Sequence, residues 1–173
     1  MNIPEIDETA WYAVYVKSRH EFKVAETLTQ KGVINTLPTL KKMKQWSDRK
    51  KVVIEPLFRG YVFVNINLKQ DKYNTLHTDG VVKFIGIKNE PSAVPEKQMI
   101  WMKIITDNSE KVTLNSSIPV GEKVKVTYGP FKGLEGTVIH EKNASRLTVL
   151  FDSIAQAISV EINPEYLKKT QMN

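Results

Sequence analysis

The C-terminal third of the chain is decided by one run, VGEKVKVTYGPFKGLEGTV, from Val120 to Val138. Val124 and Val126 alternate with lysines, so an extended strand there has one apolar and one charged face. Gly129-Pro130 forces a turn, and Phe131 supplies an aromatic plug behind it. Gly133 and Gly136 permit a tight reversal into the next strand, and Gly121 opens the run. Working outward, Lys123–Tyr128, Leu134–Glu141, Arg146–Phe151 and Ala157–Ile162 read as short strands with regular turns. That spacing predicts a small all-β barrel over residues 120–169.

Upstream lies Asp107–Pro119 (DNSEKVTLNSSIP), which is polar and has no sustained period, so it reads as a flexible interdomain linker. Residues 11–106 read as a separate α+β domain. Trp11–Lys17 is aromatic and β-branched, as a buried strand requires. Ser18-Arg19-His20-Glu21 fits a capping box, and a helix should follow to Lys31 with Phe22, Val24, Ala25 and Leu28 inward. Gly32 is its C-cap. Thr39–Trp46 and Lys50–Glu55 flank a hairpin tip at Ser47-Asp48-Arg49. Tyr61–Asn67 is a further strand, Lys69–Thr78 a short helix and Val81–Gly86 another strand. Glu96–Thr106 carries Met99, Ile100, Trp101, Met102, Ile104 and Ile105, and should close the first core.

The 173 residues are 41% hydrophobic and 25% charged, the balance of a folded soluble protein. No apolar run approaches a membrane span. Residues 1–10 form an acidic extension unlike a signal or transit peptide. Cysteine is absent, which excludes disulfides, thiolate metal sites and a Cys nucleophile. His20, His77 and His140 are isolated, and no P-loop, nucleophile elbow or metal-ligand spacing occurs. Neither catalysis nor a metal nor a cofactor is expected, and a cytoplasmic location is. The net charge is +6, but residues 11–60 alone hold eleven Lys/Arg against four Asp/Glu. A concentrated excess of this kind suits a polyanionic partner; the plain alternative is a solvated face balanced elsewhere.

The Val120–Val138 run closely resembles the KOW motif of SH3-like barrels in transcription elongation factors and ribosomal proteins. Trp11-Tyr12, Glu55-Pro56-Leu57-Phe58-Arg59-Gly60-Tyr61-Val62-Phe63-Val64, Gly80–Gly86 and the Val94-Pro95 step resemble the NGN domain of the NusG family. The likeness spans roughly residues 11–169 in order. Lys17–Val24 and Glu55–Phe58 look most like the specialised RfaH and UpxY antiterminators of that family. The resemblance implies an antiparallel NGN sheet with flanking helices, joined to a KOW barrel. It also implies a monomeric transcription elongation and antitermination factor acting on RNA polymerase. The alternatives are a housekeeping family member or a ribosome-associated, RNA-binding KOW protein.

The resemblance implies that an aromatic patch docks on the clamp helices of RNA polymerase, and Tyr15, Phe58, Tyr61 and Phe63 are its candidates. Alternation puts Tyr61 and Phe63 on one strand face and Val62 and Val64 on the other. Their plain reading is as core aromatics. Lys17, Arg19, His20 and Lys23 crowd a helix start that already favours anions, which suits phosphate contact, and the resemblance to RfaH-like proteins implies that this region meets the exposed non-template DNA strand. Lys41, Lys42 and Lys44 on the hairpin arm are weaker candidates for nucleic acid, since lysines also protect sheet edges. Two departures stand out. Arg59 occupies a position where the family commonly has proline. Ser153-Ile154-Ala155 replaces the Ile-Phe-Gly run of family members that couple to a ribosomal small-subunit protein, which weakens that partnership and leaves nascent RNA as the other KOW partner.

Overall fold

A computed structural model describes residues 8–46, 48–88, 90–115, 121–141 and 144–170. The acidic extension up to residue 7, Ser47 of the expected hairpin tip and Ser116–Pro119 of the expected linker lie outside them. In chain order the strands and helices are β1 (Ala10–Val16), α1 (Glu21–Gln30), β2 (Ile34–Thr36), β3 (Thr39–Gln45), β4 (Lys50–Pro56), β5 (Tyr61–Ile66), α2 (Leu68–Leu76), β6 (Val81–Phe84), β7 (Gly86–Ile87) and β8 (Glu90–Pro91). They continue with α3 (Glu96–Asp107), β9 (Val112–Asn115), β10 (Glu122–Val126), β11 (Glu135–Glu141), β12 (Ala144–Phe151), β13 (Gln156–Ile162) and β14 (Leu167–Lys169). Two compact units result: Met1–Leu37 with Phe58–Glu96, and Pro38–Leu57 with Lys97–Asn173.

The first unit is built on an antiparallel sheet ordered β2-β5-β1-β6. Ala13 faces Phe63, Val14 faces Val62 and Tyr15 faces Tyr61 across the central pair. Val14, Val16, Val62, Val64 and Ile66 turn one face toward Val24 and Leu28 of α1. Five buried aliphatic strand residues against two from the helix make this the unit's core; each contributes roughly 1.5–3 kcal/mol on burial. Phe22 departs from the expected inward stripe and is 50% exposed. A ten-residue helix turns only a narrow face to the sheet, and Val24 and Leu28, four apart, already fill it. Asn67 caps α2 by accepting the N–H groups of Lys69 and Gln70 at 2.9 and 3.3 Å. At its other end Lys31 Nζ donates to the carbonyls of Asn74 and His77 at 3.1 and 3.3 Å, the end of a helix that favours a cation.

The second unit holds the β3–β4 hairpin, α3 and a six-stranded antiparallel sheet ordered β14-β10-β11-β12-β13-β9. Four strands coincide with the expected ones to within two residues at every end. The stretch expected as a linker differs: a 3-10 turn at Ser109–Lys111 leads into β9, whose Val112–Asn115 pair with Val160–Ala157 of β13. The reason is local. Val112-Thr113-Leu114 is the one β-forming triplet in that polar run, and it meets an open sheet edge.

Helix α3 also departs from expectation, because its contacts join it to this second unit. Trp101 Nε1 donates to the Gly133 carbonyl at 3.1 Å, and its ring meets Phe151 edge-on at 6.3 Å. Buried Gln98 donates to Asp152 and accepts from Ser153 Oγ at 2.7 Å. Lys97 donates to Glu135 at 2.5 Å. Trp101→Ala should therefore destabilise the C-terminal sheet by about 3 kcal/mol, at the low end for truncating a packed aromatic. Urea unfolding monitored by NMR at Val124, Leu147 and Val160 checks this; an unchanged midpoint at those probes would contradict the packing of α3 on the sheet.

Lys97 holds the Glu135 carboxyl below its ordinary value by hydrogen bonding, with Lys125 adding to the effect. A carboxyl depressed on folding stabilises the fold above its unfolded pKa, and that contribution disappears as pH falls through the lower folded value. The same sheet probes should thus report constant stability from neutrality to about pH 5 and a decline below the ordinary glutamate range near 4.3. Glu135→Gln should flatten that decline.

Candidate interaction site

The aromatic candidates separate into two kinds. Tyr15 is 40% exposed and Tyr61 is half-buried, and their rings meet edge-on with centroids 5.7 Å apart. Burial, and then Tyr15, raise the Tyr61 hydroxyl pKa, so that ring stays neutral at physiological pH. Phe58 is 3% exposed and Phe63 is fully buried, the two packing edge-on at 6.3 Å. Alternation puts Tyr61 and Phe63 on one sheet face, which is open at its Tyr15–Tyr61 end and covered at Phe63, where the plain reading as a core aromatic applies. A Phe lacks the polar tip that lets a Tyr tolerate a half-wet position.

Between the two kinds lies Gly60, at φ +82°, next to the Arg59 departure. A Cβ there would stand 2.9 Å from Tyr15 Cε2, so the ring lies flush on the backbone. Gly60→Ala should cost roughly 1–2 kcal/mol in left-handed backbone strain and lift Tyr15 from its seat. Thermal unfolding together with Tyr15 ring shifts by NMR measures both; unchanged shifts would contradict the contact.

The cationic candidates converge at the next corner. Lys17 N–H donates to the Gly80 carbonyl at 2.8 Å, and the chain turns through Arg19 at φ +64° into α1. The expected capping box does not form. His20 is the N-cap residue, without a side-chain cap, and Glu21 turns away to accept the Gly60 N–H at 2.8 Å. His20 Nδ1 lies 3.0 Å from the Ser18 carbonyl, which leaves Nε2 as the outward nitrogen. Lys23 Nζ pairs with Asp79 Oδ2 at 2.7 Å. That hydrogen bond lowers the Asp79 pKa most, and the charges of Lys17 and His20 lower it further. Three of the four candidates therefore surround one exposed carboxylate, which only the fold brings there. Arg19 is exposed on the turn between them.

Lys41, Lys42 and Lys44 stand on β3 in the second unit, where Lys44 pairs with Glu55 across the hairpin. In the KOW-type run, Val124, Val126 and Phe131 are buried, Gly129 and Gly133 take positive φ, Pro130 is exposed, and Gly121 and Gly136 lie against strand backbone. Among the described residues no group of three or more His, Asp or Glu is placed to hold a metal. Nor is any helix there long and apolar enough to cross a membrane.

An α+β unit on an antiparallel sheet, with a tyrosine pair beside a cationic corner, is followed in sequence by a β-rich region that fits a KOW motif. The family model described as transcription termination factor nusG matches residues 9–103. The chain belongs to the NusG family. It is 26% identical over 180 residues to the transcription termination/antitermination protein NusG of Staphylococcus aureus strain Mu50, and equally to that of strain N315, covering 95% of this chain and 98% of each relative. Among solved structures, one described as "Domain interaction in Thermotoga maritima NusG" superposes with a TM-score of 0.59 at 23% identity, over 95% of this chain and 98% of that one.

Proposed function

We propose that this NusG-family chain is a transcription elongation and antitermination factor of the specialised RfaH/UpxY type. It docks on the clamp helices of RNA polymerase through Tyr15 and Tyr61. It contacts the exposed non-template strand through Lys17, Arg19, His20 and Lys23, reducing pausing on a restricted set of operons. The C-terminal sheet closes as an SH3-like KOW barrel, and the hairpin lysines add polyanion attraction. The observation that carries this reading is the gathering of Lys17, His20 and Lys23 around Asp79, one turn of chain beyond the tyrosine pair. Cations held together with one weak internal counter-charge are ready to exchange it for phosphate. Phe22, exposed beside Lys23, adds an aromatic body on which an unstacked base can lie.

The test is pausing and strand crosslinking on a reconstituted elongation complex. Arg19→Ala should weaken contact with all strands alike and reduce the salt slope by roughly 0.7, one phosphate contact. His20→Ala should keep the slope and narrow the gap between preferred and scrambled strands. Asp79→Asn frees Lys23 and should strengthen strand contact roughly two- to fivefold at low salt. If none of the three alters contact with the strand, the corner is a solvated face and the reading fails. Genome-wide occupancy alongside polymerase separates an operon-restricted factor from a housekeeping one. Loss of polymerase on nuclease treatment would instead favour an RNA-binding KOW protein.

A further inference from the structure

Glu21 is the first residue of α1, and its carboxylate is almost removed from water, at 6% exposure. A buried carboxylate is costly unless its oxygens are hydrogen-bonded, and the helix N-terminus offsets part of that cost. Oε1 accepts the Gly60 N–H at 2.8 Å. Gly60 is gripped from the other side too: its carbonyl accepts the Val16 N–H at 2.8 Å, and the Tyr15 ring lies on its Cα. One residue further, Lys17 is tied to Gly80, where an added Cβ would stand 3.3 Å from His20 Cβ and 2.7 Å from Val24. A continuous chain of contacts therefore runs from the tyrosine pair, through Gly60 and Glu21, to the start of α1 and its cations.

We propose that Glu21 is a positioning residue that fixes the cationic corner relative to the Tyr15–Tyr61 pair, so that a partner seated on the tyrosines delivers its polyanion to the corner in one register. This rests on the functional reading above. A buried hydrogen bond is costly to lose, and this one ties the start of α1 to the turn that leads into β5, beside the Lys17–His20 turn between β1 and α1. Two weak contacts reinforce each other only when the geometry between them is held.

Glu21→Gln keeps an oxygen able to accept the Gly60 N–H. Glu21→Ala removes it, and Glu21→Asp keeps the charge but is one methylene too short. In the free protein, Gly60 amide exchange should accelerate at least tenfold in the Ala and Asp variants and stay within about threefold of the parent in the Gln variant. Nitroxides at Lys23→Cys and Arg59→Cys, clean because the chain has no cysteine, should show a broadened distance distribution in the same two variants only. In the elongation complex, benzoylphenylalanine at Phe22 should crosslink one or two adjacent bases in the parent and Gln variant. In the Asp and Ala variants it should spread over several bases with at least tenfold lower yield, while affinity for polymerase without an exposed strand stays within threefold. Using Asp as well as Ala keeps the test decisive should Ala fail to fold. Unchanged Gly60 exchange, an unchanged distance distribution, Gln behaving as Ala, or polymerase and strand contact falling equally would each overturn the proposal. If the parent does not bind the elongation complex, the functional reading fails, and the exchange and distance measurements still decide whether Glu21 holds the corner in place.

Discussion

Tyr15→Ala combined with Tyr61→Ala should bind RNA polymerase at least roughly 30-fold more weakly than the parent chain, with no strand present. A buried tyrosine at the centre of an interface costs about 2 kcal/mol or more on truncation, and 1.4 kcal/mol is a factor of ten. Both rings have solvent on one side in the free chain, and they touch each other edge-on. Folding should lose that mutual contact and the seat of the Tyr15 ring on Gly60, roughly 1–3 kcal/mol together. Fluorescence titration against polymerase and a urea melt of the same sample separate the two effects. Full affinity in the folded double variant would remove the tyrosine pair from the docking surface.

Phe63→Ala should behave in the opposite way, destabilising the first unit by roughly 3–5 kcal/mol. Its ring is fully buried on the sheet face opposite the aliphatic core, against Phe58 and in register with Ala13. Its cross-strand partner Ala13 is too small to refill the lost volume. That loss is a large part of the 5–15 kcal/mol that stabilises an ordinary domain. Any fall in polymerase binding by this variant, or by Phe58→Ala, should track its unfolded fraction. Guanidinium melts read by NMR at Val14 and Val62 measure it, and a loss below about 1.5 kcal/mol would contradict the buried assignment.

The contrast between Tyr61 and Phe63 shows where sequence reading stops. Period-two alternation places both on one face, because successive side chains in a strand must point to opposite sides. What covers that face, and how far along it, depends on elements distant in the chain. The same holds for Phe22. Its spacing from Ala25 and Leu28 satisfies a helical stripe, yet a short helix lays only part of a stripe on its sheet. Ser18 and Glu21 have capping-box spacing, but a carboxylate at a helix start can reach back to its own turn or out to a foreign amide, and the Gly60 N–H was the better donor. The Lys23–Asp79 pair spans fifty-six positions and left no local signal.

The sequence by itself determined the class of each half. Alternating valines and punctuating glycines made the C-terminal strands legible within about two residues, since strand period and turn chemistry are local. Local charge counting likewise marked residues 11–60 as the basic stretch, in which Lys17, Arg19 and Lys23 crowd the start of α1. Only tertiary structure decided which aromatics are surface and which are core. It also decided that β9 joins the C-terminal sheet, that α3 packs with that sheet, and that Glu21 reaches Gly60. Amphipathic periodicity says that a face is buried; it carries no information about the surface that buries it, because hydrophobic burial is non-directional and any complementary apolar partner satisfies it.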